Sequence, residues 1–168
     1  MNRWEERYVR VLVEGGHREF FDRFLMAEGV RTLVIVSPWI DSLGEMAEQF
    51  KSMLTKVEQE KIEATVIVRH PRKEPANYPA VTQLSALPSV RMYFNNELHA
   101  KVYACYCSPY GFAYVGSANL TGRATVAFEV GVMVEGRGDG ARVVDELARV
   151  GTVDLLNRAG TFTALGST

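Results

Sequence analysis

The sequence predicts an α/β protein: a central mixed β-sheet flanked by helices on both faces. Three observations predict it. Arg31 to Val36 and Ala64 to Val68 are short, continuous, β-branched apolar runs, as expected of strands covered on both sides. Segments with helical spacing of apolar residues precede and separate them. Leu98 to Tyr106 and Phe112 to Val115 are strand-like runs joined by the turn Ser108-Pro109-Tyr110-Gly111, which reads as a hairpin and makes the sheet mixed.

The elements follow in order. Arg18 to Glu28 carries Phe20, Phe21, Phe24 and Leu25 at helical spacing, with Gly29 as a stop. The strand Arg31 to Val36 ends at Ser37-Pro38-Trp39. Ser42-Leu43-Gly44-Glu45 has the form of a capping box, and Met46, Ala47, Phe50, Met53, Leu54 and Val57 mark one face of a helix from Ser42 to Glu60. Ala64 to Val68 is a second strand. Pro71, Pro75 and Pro79 keep the next segment irregular, before a short helix at Ala80 to Ala86 and a strand at Val90 to Phe94. After the hairpin, Phe128 to Glu135 supplies a sixth strand. Ala141 to Val150 closes the chain with a helix whose apolar face is Val143, Val144, Leu147 and Val150.

At 168 residues the expectation is one domain spanning 1–168. Apolar residues at 47% and charged residues at 23% describe an ordinary globular chain. No apolar run is long enough for a transmembrane helix, and Met1-Asn2-Arg3-Trp4 does not open a signal peptide, so no membrane association and a cytoplasmic location are expected. With 19 Lys and Arg against 20 Asp and Glu, the net charge is −1, so any nucleic-acid binding must come from a local patch. Cys105 and Cys107 share a strand face and are read as packed, reduced thiols, too few for a zinc site.

The chemistry gathers between Leu98 and Glu129. His99 and Lys101, at i and i+2 on a strand, point to one face, where an imidazole and an ammonium converge on one phosphate. The imidazole attacks or transfers a proton, and the ammonium holds charge. Gly116-Ser117-Ala118-Asn119 is a turn that brings a carboxamide N–H to the same phosphate, the glycine permitting a close backbone approach. Glu129 is placed to orient the histidine. Arg69, His70, Arg72 and Lys73 form the densest basic run, just after a strand whose C-terminal end lies near the site in an open α/β sheet. They read either as a groove for a polyanionic strand or as a solvated loop. Trp39 either packs over the sheet edge or stacks on a base.

His99-x-Lys101 followed by Gly116-Ser117-x-Asn119 resembles the signature of the phospholipase D superfamily, and the run ending Ser37-Pro38-Trp39-Ile40 resembles that family's first core strand. The likeness spans about residues 15 to 150. It implies a two-histidine mechanism: one histidine attacks phosphorus to give a phosphohistidine, and the other protonates the leaving oxygen and then activates water. His17 and His70 lack the motif, so the second histidine is expected from a second copy of the chain, in a twofold homodimer. Lys101 and Asn119 would bind the non-bridging oxygens, Glu129 would accept from the second imidazole nitrogen, and Ser117 would support the turn. No metal or other cofactor is implied. The family's motif carries an aspartate five positions after the lysine. Tyr106 stands there, at a position the resemblance makes structural.

The expected activity is thus a metal-independent phosphodiesterase, an endonuclease on DNA or RNA, with recruitment by a protein partner as an option. Two alternatives remain open: a non-catalytic, dimerising nucleic-acid-binding or regulatory domain, and a phospholipid hydrolase.

Overall fold

The computed structural model describes residues 7–107, 109–122 and 128–163. Its centre is one eight-stranded sheet. The strands are β1 (Arg7–Val13), β2 (Thr32–Val36), β3 (Glu63–Val68), β4 (Val90–Asn95), β5 (Val102–Tyr106), β6 (Tyr110–Gly116), β7 (Val130–Arg137) and β8 (Thr161–Phe162). They lie side by side in the order β1-β7-β6-β5-β2-β3-β4-β8. β2, β3 and β4 are parallel, and the remaining pairs, including the β5–β6 hairpin, are antiparallel. The sheet is therefore mixed, as expected. The parallel strands are joined by helices α2 (Ala47–Gln59) and α3 (Tyr78–Ser85), because parallel neighbours need a crossover.

Helices cover both faces. On one, α1 (Gly16–Met26) lays Phe20, Phe21 and Phe24 over the sheet, α2 adds Phe50, Met53 and Val57, and α3 adds Val81 and Leu84, packed with Leu33, Ile35, Val66, Tyr103 and Phe112. On the other, α4 (Arg142–Arg149) buries Val144 against Val34, Val102, Ala104 and Ala113. Every residue of β2 but the first is buried, which is why its sequence is continuously apolar and not alternating. No helix among the described residues is long and apolar enough to cross a membrane.

Four expectations are corrected. The strand expected from Leu98 begins only at Val102. Its neighbours β2 and β6 end at Val36 and Gly116, so there is nothing beyond Lys101 for a ladder to pair with, the last bond being Gly116 N–H to Lys101 O at 3.3 Å. His99 and Lys101 therefore sit on the approach to the strand. The capping box does not form: Gly44 is left-handed (φ 66°), α2 is entered through a 3₁₀ turn at Gly44–Met46, and the Ser42 hydroxyl accepts from Gln83 Nε2. Val143 is exposed while its neighbour Val144 is buried. Finally, β1 and β8 were not anticipated. β8 is too short to read, and β1 turns Val9, Val11 and Val13 outward. Ser108 and Met1 to Trp4 lie outside the described residues. The two thiols are free, with Sγ atoms 3.9 Å apart at the far end of β5.

His17 shares the buried face of α1 with the phenylalanines, and neither of its ring nitrogens has a hydrogen-bond partner. Burial, with Arg18 adding to it, lowers its pKa from 6.5 to about 4. The unfolded chain therefore takes up the proton first. The corresponding stability is complete above pH ~6.5 and is lost as the pH falls towards 4, by about 3 kcal/mol. Urea unfolding of His17→Leu between pH 7 and pH 4 is expected to lack this component. An unchanged pH slope would contradict the burial of a neutral imidazole.

Candidate active site

The site lies at the edge of the sheet where β2 and β3 end, β5 begins, β6 ends and β7 begins. This edge collects the loops after β2 (Ser37 to Asp41), after β3 (Arg69 to Asn77), before β5 (Leu98 to Lys101) and after β6 (Ser117 to Leu120), with Glu129 just before β7. In an open α/β sheet, loops beyond the C-terminal ends of parallel strands are the usual place for a ligand.

Buried side chains hold these loops together. Asn77 is fully buried: its Nδ2 donates to Pro38 O and Arg69 O, both at 2.9 Å, and its Oδ1 accepts from Ile40 N at 2.9 Å. The Ser37 hydroxyl donates to Trp39 O (2.7 Å) and accepts from Leu120 N (3.1 Å). Tyr103 donates its phenolic proton to Ala118 O at 2.8 Å. Total burial pushes the Tyr103 pKa up, so it remains a donor. Gly116 is required because a Cβ there would strike the Tyr114 hydroxyl and Val130 O. None of Ser37, Asn77 and Tyr103 stood out in the sequence. The only signal was the Ser-Pro-Trp break after the first core strand.

Within this frame His99 is exposed and Lys101 is buried. The Lys101 ammonium lies 2.8 Å from His99 Nδ1 and 2.8 Å from His99 O. Burial lowers the pKa of Lys101 and Arg69 adds to this, while the Glu129 charge opposes it. The two side chains meet through a turned-back lysine on a loop and not through one face of a strand. Glu129 differs from expectation. Its Oε2 accepts from the Ser117 hydroxyl, and the hydrogen bond at His99 Nδ1 comes from Lys101. Ser117 is anchored further by accepting from Val130 N at 3.1 Å. Asn119 joins the group with its Oδ1 buried and unpartnered, an amide held in place but not satisfied by the protein.

The basic run divides. The Arg69 guanidinium sits 4.5 Å over the Trp39 ring, donates from Nε to Leu98 O at 2.9 Å, and pairs with Glu74 at 3.1 Å. Two of its five N–H donors are engaged in these bonds. Trp39 and then Arg69 hold the Glu74 carboxyl below its ordinary pKa. His70 is turned inward, between the rings of Phe94 (4.8 Å) and Phe162 (5.6 Å), with Nδ1 accepting from Arg72 N. It is a packed histidine, which corrects its reading as a substrate contact. Arg72 and Lys73 are exposed and form no ion pair among the described residues. Trp39 is half-buried and borders a cleft of about 780 Å³ that also takes in Asp41, Leu43, Pro75, Pro79, Asn119 and Glu129. Tyr106 ends β5, roughly 16 Å along the strand from Lys101, and stands outside the reacting set.

The fold is shared with solved structures that include a phospholipase D family member. The structure matches Nuc from Salmonella typhimurium, a phospholipase D family member, with a TM-score of 0.64 at 13% identity over 88% of this chain and 95% of that one. It matches NucT from Helicobacter pylori with a TM-score of 0.59 at 14% identity, over 89% and 96% of the two chains. Phosphatidylserine synthase from Haemophilus influenzae Rd KW20 matches with a TM-score of 0.64 at 12% identity, over 96% of this chain and 41% of that one. No family model and no curated protein matches the sequence.

Removing the Asn77 side chain by Asn77→Ala leaves Arg69 O and Ile40 N–H without partners and takes one of the two hydrogen bonds from Pro38 O. A loss of about 3 kcal/mol in urea unfolding is expected. A loss below ~1 kcal/mol would show that the loops are held by other contacts.

Proposed function

We propose that this chain is a metal-independent phosphodiesterase acting on nucleic acid, with each active site completed across a homodimer. The observation that carries the reading is the Lys101 ammonium bonded to His99 Nδ1, beside Asn119 and the Ser117–Glu129 pair. An imidazole, a buried ammonium and an amide meet at one sheet edge; the Asn119 Nδ2 is the atom that would donate to a phosphate oxygen, and its Oδ1 is buried without a partner.

The same bond defines a resting state. With Lys101 donating to Nδ1, the ring's proton is on Nε2. A nucleophile needs a bare Nε2, and a general acid needs both nitrogens protonated, so neither role is open until the ammonium leaves. A phosphate oxygen entering the site draws the ammonium away and frees Nδ1; one ring then exchanges its Nε2 proton through solvent for one on Nδ1, where the Glu129 carboxylate accepts it, and the other ring takes a second proton from solvent on Nδ1. The Nε2 lone pair of one His99 attacks phosphorus, forming a P–N bond as the P–O bond to the leaving group breaks. The second His99 gives its proton to the leaving oxygen. That second histidine then takes a proton from water as the water oxygen displaces Nε2, restoring both rings. Lys101 and Asn119 offset the charge that moves onto the non-bridging oxygens.

A single chain supplies one such histidine, since His17 and His70 are both buried elsewhere. A twofold pair supplies the second, and the surface favours one. β1 exposes Val9, Val11 and Val13 to 65%, 64% and 56%, and Val130, paired with Val13, to 44%. This apolar face runs up to Ser117 and Glu129, where a second copy would have to sit. Support for nucleic acid comes from the near-complete mutual coverage with Nuc and NucT, against 41% of the phosphatidylserine synthase, and from the exposed Arg72 and Lys73 close by.

Hydrolysis of bis(p-nitrophenyl) phosphate is expected to persist in EDTA and to fall by at least about 10³-fold in His99→Ala. Activity abolished by EDTA, or retained in His99→Ala, would remove this mechanism.

A further inference from the structure

We propose that the cleft beside the reacting groups is a nucleobase pocket, in which the Asp41 carboxylate accepts from the exocyclic amine of the base next to the scissile phosphate. This deepens the reading of the site as a nucleic-acid phosphodiesterase and rests on it. The cleft, about 780 Å³, is walled by Trp39, Leu43, Pro75 and Pro79, and Asn119 and Glu129 line it too, so a group held there is attached to the phosphate being cut.

Its charge says which part of a nucleotide fits. Among the described residues the lining holds three carboxylates, Asp41, Glu74 and Glu129, and no cationic side chain. The cations Lys101 and Arg69 gather instead around His99 and Leu98 O. A phosphodiester backbone is thus held on the histidine side and repelled from the cleft, and a flat neutral ring is directed into it. The three carboxylates are not equivalent. Glu74 is neutralised by Arg69, and Glu129 is bound by Ser117 and faces Lys101. Asp41 has no ion pair among the described residues. One of its oxygens accepts from Leu43 N at 2.8 Å, which fixes the carboxylate and leaves the other oxygen available.

Cytosine, adenine and guanine each offer an exocyclic amine to such an oxygen, whereas thymine has none, and its single N3–H donor is flanked by two carbonyl oxygens that repel a carboxylate. An alkylammonium headgroup is the weaker fit, because the Arg69 guanidinium already sits over the Trp39 ring. A base can enter only when unpaired and unstacked, so the pocket selects single strands.

The test is to digest a single-stranded DNA pool randomised around its centre, sequence the cut ends, and repeat with the annealed duplex and with Asp41→Asn. The parent protein is expected to cut single strands at least about tenfold faster than duplex, with thymine depleted on the order of tenfold at one base flanking the cut. Asp41→Asn keeps the oxygen that caps Leu43 N and adds an amide donor for thymine O4, so the depletion is expected to disappear. Equal use of all four bases by the parent overturns the proposal, without reference to any variant. Depletion unchanged in Asp41→Asn removes Asp41 from it. Turnover of bis(p-nitrophenyl) phosphate with no oligonucleotide cut overturns the pocket while the phosphodiesterase reading stands. Headgroup release from phosphatidylethanolamine vesicles in place of oligonucleotide cleavage would give the cleft to a lipid headgroup. No turnover of any substrate removes the function itself and the pocket with it.

Discussion

A buried ammonium must find acceptors, and at this sheet edge Lys101 finds them on His99. Its nitrogen is desolvated enough to lower its pKa, and it is held by the imidazole Nδ1 and the backbone oxygen of the same histidine. The contact ties the last residues before β5 into a turn, with the exposed imidazole accepting at Nδ1. In the proposed mechanism it also links binding to reaction: a phosphate that attracts the ammonium releases the nitrogen whose state decides what the ring can do. The Glu129 carboxylate is close enough to raise the lysine's proton affinity, and in the proposed mechanism it is the acceptor for the freed ring.

That arrangement depends on loops that are not themselves regular structure. Three buried hydrogen-bonding side chains hold them. Asn77 joins the loop after β2 to the one after β3, and Ser37 and Tyr103 join the β2 end to the turn that carries Asn119. Each is satisfied by backbone groups, which suits a site where side-chain positions must be reproduced closely but the chain cannot form a ladder. Arg69 extends the frame by linking Trp39, Glu74 and Leu98, so that a residue belonging by sequence to a basic run acts mainly as a structural clamp.

The central strands and most helices were legible in the sequence because burial on both faces leaves an unbroken apolar run, and helix periodicity survives in Phe20, Phe21 and Phe24. His99, Lys101, Ser117, Asn119 and Glu129 were singled out in the sequence by their pattern and its resemblance to a known motif, and the fold brings them to one edge. What could not be read depends on tertiary contact. The carboxylate partner of His99 was assigned by chemistry, yet the hydroxyl of Ser117 reaches Glu129 first. His70 looked like part of a basic groove, but the rings of Phe94 and Phe162 close around it. The capping pattern at Ser42 to Glu45 was defeated by one left-handed glycine. β1 escaped because its alternate valines face away from the core, which is also what makes it a candidate surface for a second chain.

The central claim is that one catalytic unit uses two copies of His99, and subunit mixing tests it most directly. Parent and His99→Ala chains, co-refolded in varied proportions at constant total concentration, form parent, mixed and mutant pairs. If each site needs both histidines, only parent pairs turn over, and activity falls as the square of the parent fraction, to about a quarter at equal amounts. Activity falling in direct proportion, to about a half, would mean that each chain works alone and would contradict the account.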